Sequence, residues 1–228
     1  MPVTFKSAKT HTITVIGFIL TAVLLVICAM SGKIVGLITG QHLSAPALFF
    51  VSRISYWIIL AFVFLYVLKI EKKPLLLWEE RSYKARFYFY SILVIIASVL
   101  VGSAIIGVAA HYAGSNTHSN AVQAMYGFGV PLKLFTVVTA AVVEELIFRG
   151  YLMARLQLFF KSKYWPIIIS ALLFGLAHMR YGTVVNMAIP ALIGFIFGWF
   201  YEKYRNVKIL IICHFILDFF SLILIHPH

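Results

Sequence analysis

Long apolar runs alternate with short polar segments along the whole chain. The runs are His11–Met30, Ala47–Leu68, Phe87–Ala110, Leu132–Phe160, Tyr164–His178, Thr183–Tyr201 and Ile209–Ile225. About 20 apolar residues cross a bilayer as a helix, and a helix satisfies its own backbone there. The pattern predicts an all-α, polytopic transmembrane bundle of about seven spans. Leu132–Phe160 is longer than one crossing needs, so its last turns are expected along the interface. Lys6 and Lys9 precede the first run as in a signal peptide. That run is long for a signal core and lacks a small-x-small cleavage site, so it reads as a retained span. Glu71–Arg86 carries both signs of charge and Pro74, which predicts an amphipathic segment on the inner face. His111–Gly129, rich in Gly, Ser, Asn and His, predicts an outer loop or re-entrant lid. No internal repeat is apparent, and no polar segment is long enough for a sizeable soluble domain.

Composition strengthens this picture. Of 228 residues, 62% are hydrophobic and 11% charged, against about 25% charged in average soluble domains. The +12 net charge does not indicate nucleic acid, because the cations sit in short loops between apolar runs. With the N-terminus inside, only Lys33, Lys133 and Arg180 fall outside. Arg53 and Arg149 lie within spans, and every other Lys and Arg is inner. That asymmetry predicts N-terminus in and C-terminus out. Trp57, Trp78, Trp165, Trp199 and Tyr201 stand near span ends, as interfacial anchors do, although Trp57 also suits a neighbouring helix. Cys28 and Cys213 lie inside apolar runs, with neither disulfide nor metal-site character.

Charges at membrane depth cost about 2.5–3.5 kcal/mol each on insertion scales, yet Glu144, Glu145 and Arg149 share the fourth run. Glu145 and Arg149 are four apart and can pair on one helical face. Glu144 points about 100° away and has no partner on its own helix. His178 closes the fifth run, with Phe174 on its face. His214 and Asp218 are again four apart, so the carboxylate can orient the imidazole. Alone, each group reads equally as buried helix-to-helix glue. Together they could position and activate a water, with Glu144 as base and a His for the oxyanion. There is no Gly-x-Ser-x-Gly nucleophile, and Cys213 points away from the His214 face. Pro190, Gly194 and Gly198 read as close helix packing.

At these residues the chain resembles the CPBP family of intramembrane proteases, which takes in type 2 CAAX prenyl proteases and the Abi bacteriocin-processing and immunity proteins. Glu-Glu-x-x-x-Arg is matched by Glu144, Glu145 and Arg149; Phe-x-x-x-His by Phe174 and His178; His-x-x-x-Asn/Asp by His214 and Asp218. The likeness covers about Lys133 to Ser221. It implies N-terminal helices over 1–130 and a catalytic core over 131–222, in one integrated membrane domain. It implies an endopeptidase in which Glu144 is the general base, Glu145 and Arg149 support the site, and His178, His214 and Asp218 complete it. No cofactor is expected; if Zn²⁺ were held, Glu144, His178 and His214 would be its ligands. Prenyl-processing members usually carry Asn where this chain has Asp218. The implied partners are the lipid bilayer and a peptide or prenylated peptide, without nucleic acid. The implied setting is a bacterial plasma membrane, in bacteriocin maturation or self-immunity. The alternative is a non-catalytic immunity or binding protein. No pattern specifies an oligomeric state. The expected spans put Glu144 at mid-depth, His178 near the outer end and His214 near the inner end, so the three meet only if helices are tilted, shifted or broken.

Overall fold

The computed structural model describes residues 8–40 and 43–224. Lys6 and the last residue expected of the seventh span, Ile225, lie outside the described residues. The chain is all helical in its regular structure: α1 (Ala8–Thr39), α2 (Ala45–Tyr66), α3 (Ala85–Tyr112), α4 (Asn120–Tyr126), α5 (Val130–Thr139), α6 (Ala154–Leu156), α7 (Tyr164–Ala177), α8 (Val185–Tyr204) and α9 (Val207–Phe219). Wide-turn π-helical segments continue α2 over Val67–Glu71, join α5 to α6 over Ala140–Glu144 and Leu146–Met153, and extend α9 over Phe220–Leu224. Among the described residues seven rods result, roughly consistent with about seven spans, and α4 is an additional short helix. Five rods are long and apolar enough to cross a membrane: Thr10–Thr39, Ala45–Glu71, Ala85–Tyr112, Val185–Tyr204 and Val207–Leu224. This is an integral membrane protein.

The other two rods differ for a physical reason. The α5–α6 rod is loaded with charge, and it is surrounded by protein: α2, α7, α8 and α9 all pack against it. Trp57 Nε1 donates to Thr139 Oγ1 at 2.9 Å and ties α2 to it. The Ser170 hydroxyl donates to the Phe148 carbonyl at 3.2 Å and ties α7 to it. Trp57 thus faces a neighbouring helix. α7 has only 14 residues, roughly 21 Å at about 1.5 Å each, short of the roughly 30 Å hydrocarbon core. By contrast, α1, α2 and α3 turn large apolar side chains such as Val26, Phe62 and Val94 outward, as lipid-facing helices do.

Several boundaries move. α1 runs past Met30 and Lys33 to Thr39, because nothing in an apolar stretch offers the backbone another partner; Gly40, at φ +64°, ends it. Residues 72–84 form no amphipathic helix. They are an irregular strap held by its own charges and carbonyls. Arg155 is 1% exposed, and its guanidinium donates to Glu71 at 2.7 Å and to the carbonyls of Leu75 and Pro74 at 3.0 and 2.9 Å. Glu80 accepts the Val207 amide at the start of α9 at 2.7 Å and the Tyr201 hydroxyl at 2.9 Å. Tyr201 is therefore fully buried rather than an interfacial anchor, and Trp78 lies in the strap against it and Arg205. Arg155 and the 3%-exposed Lys133 are likewise inside the protein, not free loop charges.

α7 and α8 form a tight hairpin. A Cβ placed on Gly194 would come within 2.9 Å of the Ala171 backbone, and one on Gly198 within 3.2 Å of Ile167. The small residues allow the close approach. We expect Gly194→Ala to force the helices apart and lower the melting temperature by the equivalent of about 1–3 kcal/mol, read in detergent by thermal unfolding; an unchanged melting point would mean the hairpin yields without strain.

Candidate active site

The wide-turn stretch of the central rod carries the charge triad. Hydrogen bonds from i to i+5 are rare over such lengths, and π segments often mark functional sites. Glu145 and Arg149 are fully buried. Arg149 Nη1 donates to Glu145 Oε1 at 2.8 Å, the expected i, i+4 pair. The guanidinium also lies 4.5 Å from the Phe174 ring centroid and 5.4 Å from that of Phe197, which offsets part of its desolvation.

The same Glu145 Oε1 accepts from His214 Nδ1 at 2.8 Å. His214 Nε2 stands 3.5 Å from Asp218 Oδ2, at the limit of a hydrogen bond. His214 is therefore oriented across helices by Glu145, and more loosely by Asp218 on its own helix. Of these two partners, only Asp218 was legible from the residue spacing. His178 Nδ1 lies 2.8 Å from the Phe174 carbonyl oxygen. A carbonyl only accepts, so Nδ1 carries the proton and Nε2 of the neutral ring is free to accept. His178 caps α7 at φ −90°, ψ 2°, in the sparsely populated bridge region where many active-site residues sit.

These contacts bring both imidazoles to the Phe174 ring. The Phe174 ring is 4.9 Å from the His178 ring and 6.1 Å from the His214 ring, centroid to centroid. His178 folds back onto the preceding turn of a short helix, and His214 lies about two turns into α9. Both imidazoles thereby reach the Glu145–Arg149 layer.

Glu144 is placed differently from its neighbour. It is 7% exposed, and its Oε2 has no hydrogen-bond partner among the described residues. Tyr181, beyond the end of α7, lies beside His178, their ring centroids 5.6 Å apart. Burial first, then the Glu144 and Asp218 charges, push the Tyr181 phenol above its ordinary value against the opposing pull of Arg53 and Arg180. Tyr181 stays a protonated donor. Tyr56 and Tyr181 line a cleft of about 190 Å³ between the α1–α2 hairpin and the α7–α8 turn. Glu145 is locked within the protein at 0% exposure, and Glu144 keeps slight exposure. Among the described residues, no group of three or more His, Cys, Asp or Glu is arranged to hold a metal ion; both nitrogens of His214 are already directed at carboxylates.

Residues 126–220 match the family described as type II CAAX prenyl endopeptidase, Rce1-like. The match takes in Glu144, Glu145, Arg149, His178, His214 and Asp218, and it supports an intramembrane protease of CAAX type. No curated protein and no solved structure matches significantly. The Rce1-like region runs from the end of α4 through α9, so the strap and the α1–α2 hairpin that pack on it lie outside the matched residues.

Sequence reasoning missed four neighbours of this site. Tyr56, Tyr181 and Phe197 carry no pattern that separates them from other membrane aromatics. Arg53 was visible as a charge inside the second apolar run, but nothing there indicated what it faces.

Proposed function

We propose that the protein is an intramembrane endopeptidase that hydrolyses a peptide bond of a membrane-associated or CAAX-like peptide with a water activated by Glu144. The observation that carries this reading is the asymmetry of the two adjacent carboxylates. Glu145 is committed through Oε1 to Arg149 and His214, whereas Glu144 makes no ion pair among the described residues, although Oε2 of each carboxylate is buried without a hydrogen-bond partner there. Glu144 takes a proton from water as the hydroxide adds to the scissile carbonyl, then returns it to the leaving amine. His178, through Nε2, accepts from that water. His214 Nε2, only loosely engaged by Asp218, can turn to the developing oxyanion. No step requires a metal. Bacteriocin maturation or self-immunity in a bacterial plasma membrane is the setting that the motif resemblance suggests for this activity.

The test uses the full chain purified in detergent and quenched peptides that include prenylated CAAX sequences. Turnover is expected to persist in a chelator. His178→Ala is expected to lower it by on the order of 10²-fold with little change in melting temperature, since its ring bonds only a local carbonyl. Turnover abolished by chelator and restored by Zn²⁺ would refute the metal-free reading. If no peptide is cleaved while site variants keep protective function in cells, the non-catalytic binding reading replaces it.

A further inference from the structure

The cleft that Tyr56 and Tyr181 line carries three cations and no carboxylate among the described residues: Lys33, Arg53 and Arg180. The charge asymmetry of the sequence left only five cations off the inner side, and three of them converge here. They come from α1, α2 and the α7–α8 turn, so the grouping is made by the fold. Arg53 is 8% exposed, and its Nε has no acceptor among the described residues. Its guanidinium lies 5.2 Å from the Phe49 ring centroid and 4.7 Å from that of Tyr56. Those rings favour a cation but accept no N–H in the plane of the guanidinium. A desolvated arginine without a carboxylate is expensive. An anion in the cleft would remove that cost, and the planar fork fits a carboxylate or phosphate through two parallel hydrogen bonds.

We propose that Arg53, with Lys33 and Arg180 at the rim, forms an anion subsite that takes the free C-terminal carboxylate of the peptide substrate. This rests on the protease reading above. The cleft holds about 190 Å³, where one water needs only about 10–15 Å³ of such space. That accommodates a chain end of one or two residues. Ala177 and Tyr181 line the same cleft on either side of His178, and the Tyr181 and His178 ring centroids are 5.6 Å apart, so a chain end held there lies next to His178. The subsite would favour cleavage near a C-terminus. The same fork could hold a lipid phosphate, and the experiment separates the two sources.

Labelled peptides of one sequence, ending in a free acid or an amide, are bound to the full-length Glu144→Gln variant in neutral detergent. The acid is expected to bind roughly tenfold tighter or more. Arg53→Gln should abolish the difference. Lys33→Ala and Arg180→Ala, at exposed positions, should shrink it several-fold at an unchanged melting temperature, which covers the case in which Arg53→Gln fails to fold. In parallel, wild-type turnover is read on both peptides. Equal binding of acid and amide overturns the subsite, and if both are cleaved the protease reading still stands. A persistent acid–amide difference without any cleavage supports the subsite and defeats the protease reading. Arg53-dependent retention of an anionic phospholipid over a zwitterionic one, with no acid–amide difference, assigns the cleft to lipid and also overturns the proposal.

Discussion

Glu144→Gln is expected to reduce peptide turnover by on the order of 10²- to 10⁴-fold while the protein keeps its melting temperature. The two halves of that expectation have separate grounds. Gln has nearly the same shape, so nothing around position 144 must move. Among the described residues Glu144 makes no ion pair and its buried Oε2 has no hydrogen-bond partner, so no direct contact of its charge ties helices together. Removing a charge from that place should leave stability level or slightly improved, because burying an uncompensated carboxylate is unfavourable. The amide cannot take up a proton from water, so the chemical step loses its base. Turnover on the quenched peptides and thermal unfolding, measured on the same preparation, decide the matter. Retained turnover would dismiss Glu144 as the base; lost turnover together with lost stability would return the cluster to a structural role.

The architecture was legible because a bilayer leaves few choices. Seven apolar runs had to become helices, and the Glu145–Arg149 pair followed from i, i+4 spacing. What could not be read was set by contacts between distant segments. The strap over residues 72–84 looked amphipathic from its charges, yet Glu71 and Glu80 point inward to Arg155, Tyr201 and the Val207 amide, partners 80 or more residues away in sequence. His178 and His214 looked far apart because every run was treated as a full crossing, yet both rings flank Phe174. α7 is only 14 residues long, and the ring at its end turns back on Phe174. The π widening of Ala140–Met153 has no marker in the residue pattern, since it depends on the helices packed around it. The Arg53 cleft illustrates the same limit: a lone intramembrane charge marks a place of interest, and only the packing of α1, α2 and the α7–α8 turn shows that Lys33 and Arg180 share it.

The second large effect falls on stability. Arg149→Met is expected to destabilise the protein by about 3–5 kcal/mol, and Glu145→Leu by a similar amount. Glu145→Leu leaves Arg149 buried at 0% exposure without its carboxylate, and Arg149→Met leaves the equally buried Glu145 with His214 alone; the Phe174 and Phe197 rings can favour the cation but not the carboxylate. The double variant should recover most of that loss, because two apolar side chains of similar volume remove both desolvation penalties at once. Activity should not recover with it. Glu145 Oε1 receives both Arg149 and His214 at 2.8 Å, so without Glu145 the imidazole keeps only its 3.5 Å approach to Asp218 and loses its fixed orientation. A double-mutant cycle in melting temperature, read alongside turnover, separates the two roles of one carboxylate. Strong positive coupling in stability with turnover still depressed in the double variant is the expected result. Turnover that returns with stability would mean that Glu145 contributes to activity only by keeping the bundle folded. Additive losses with no coupling would mean that the pair is not the interaction that locks the central rod.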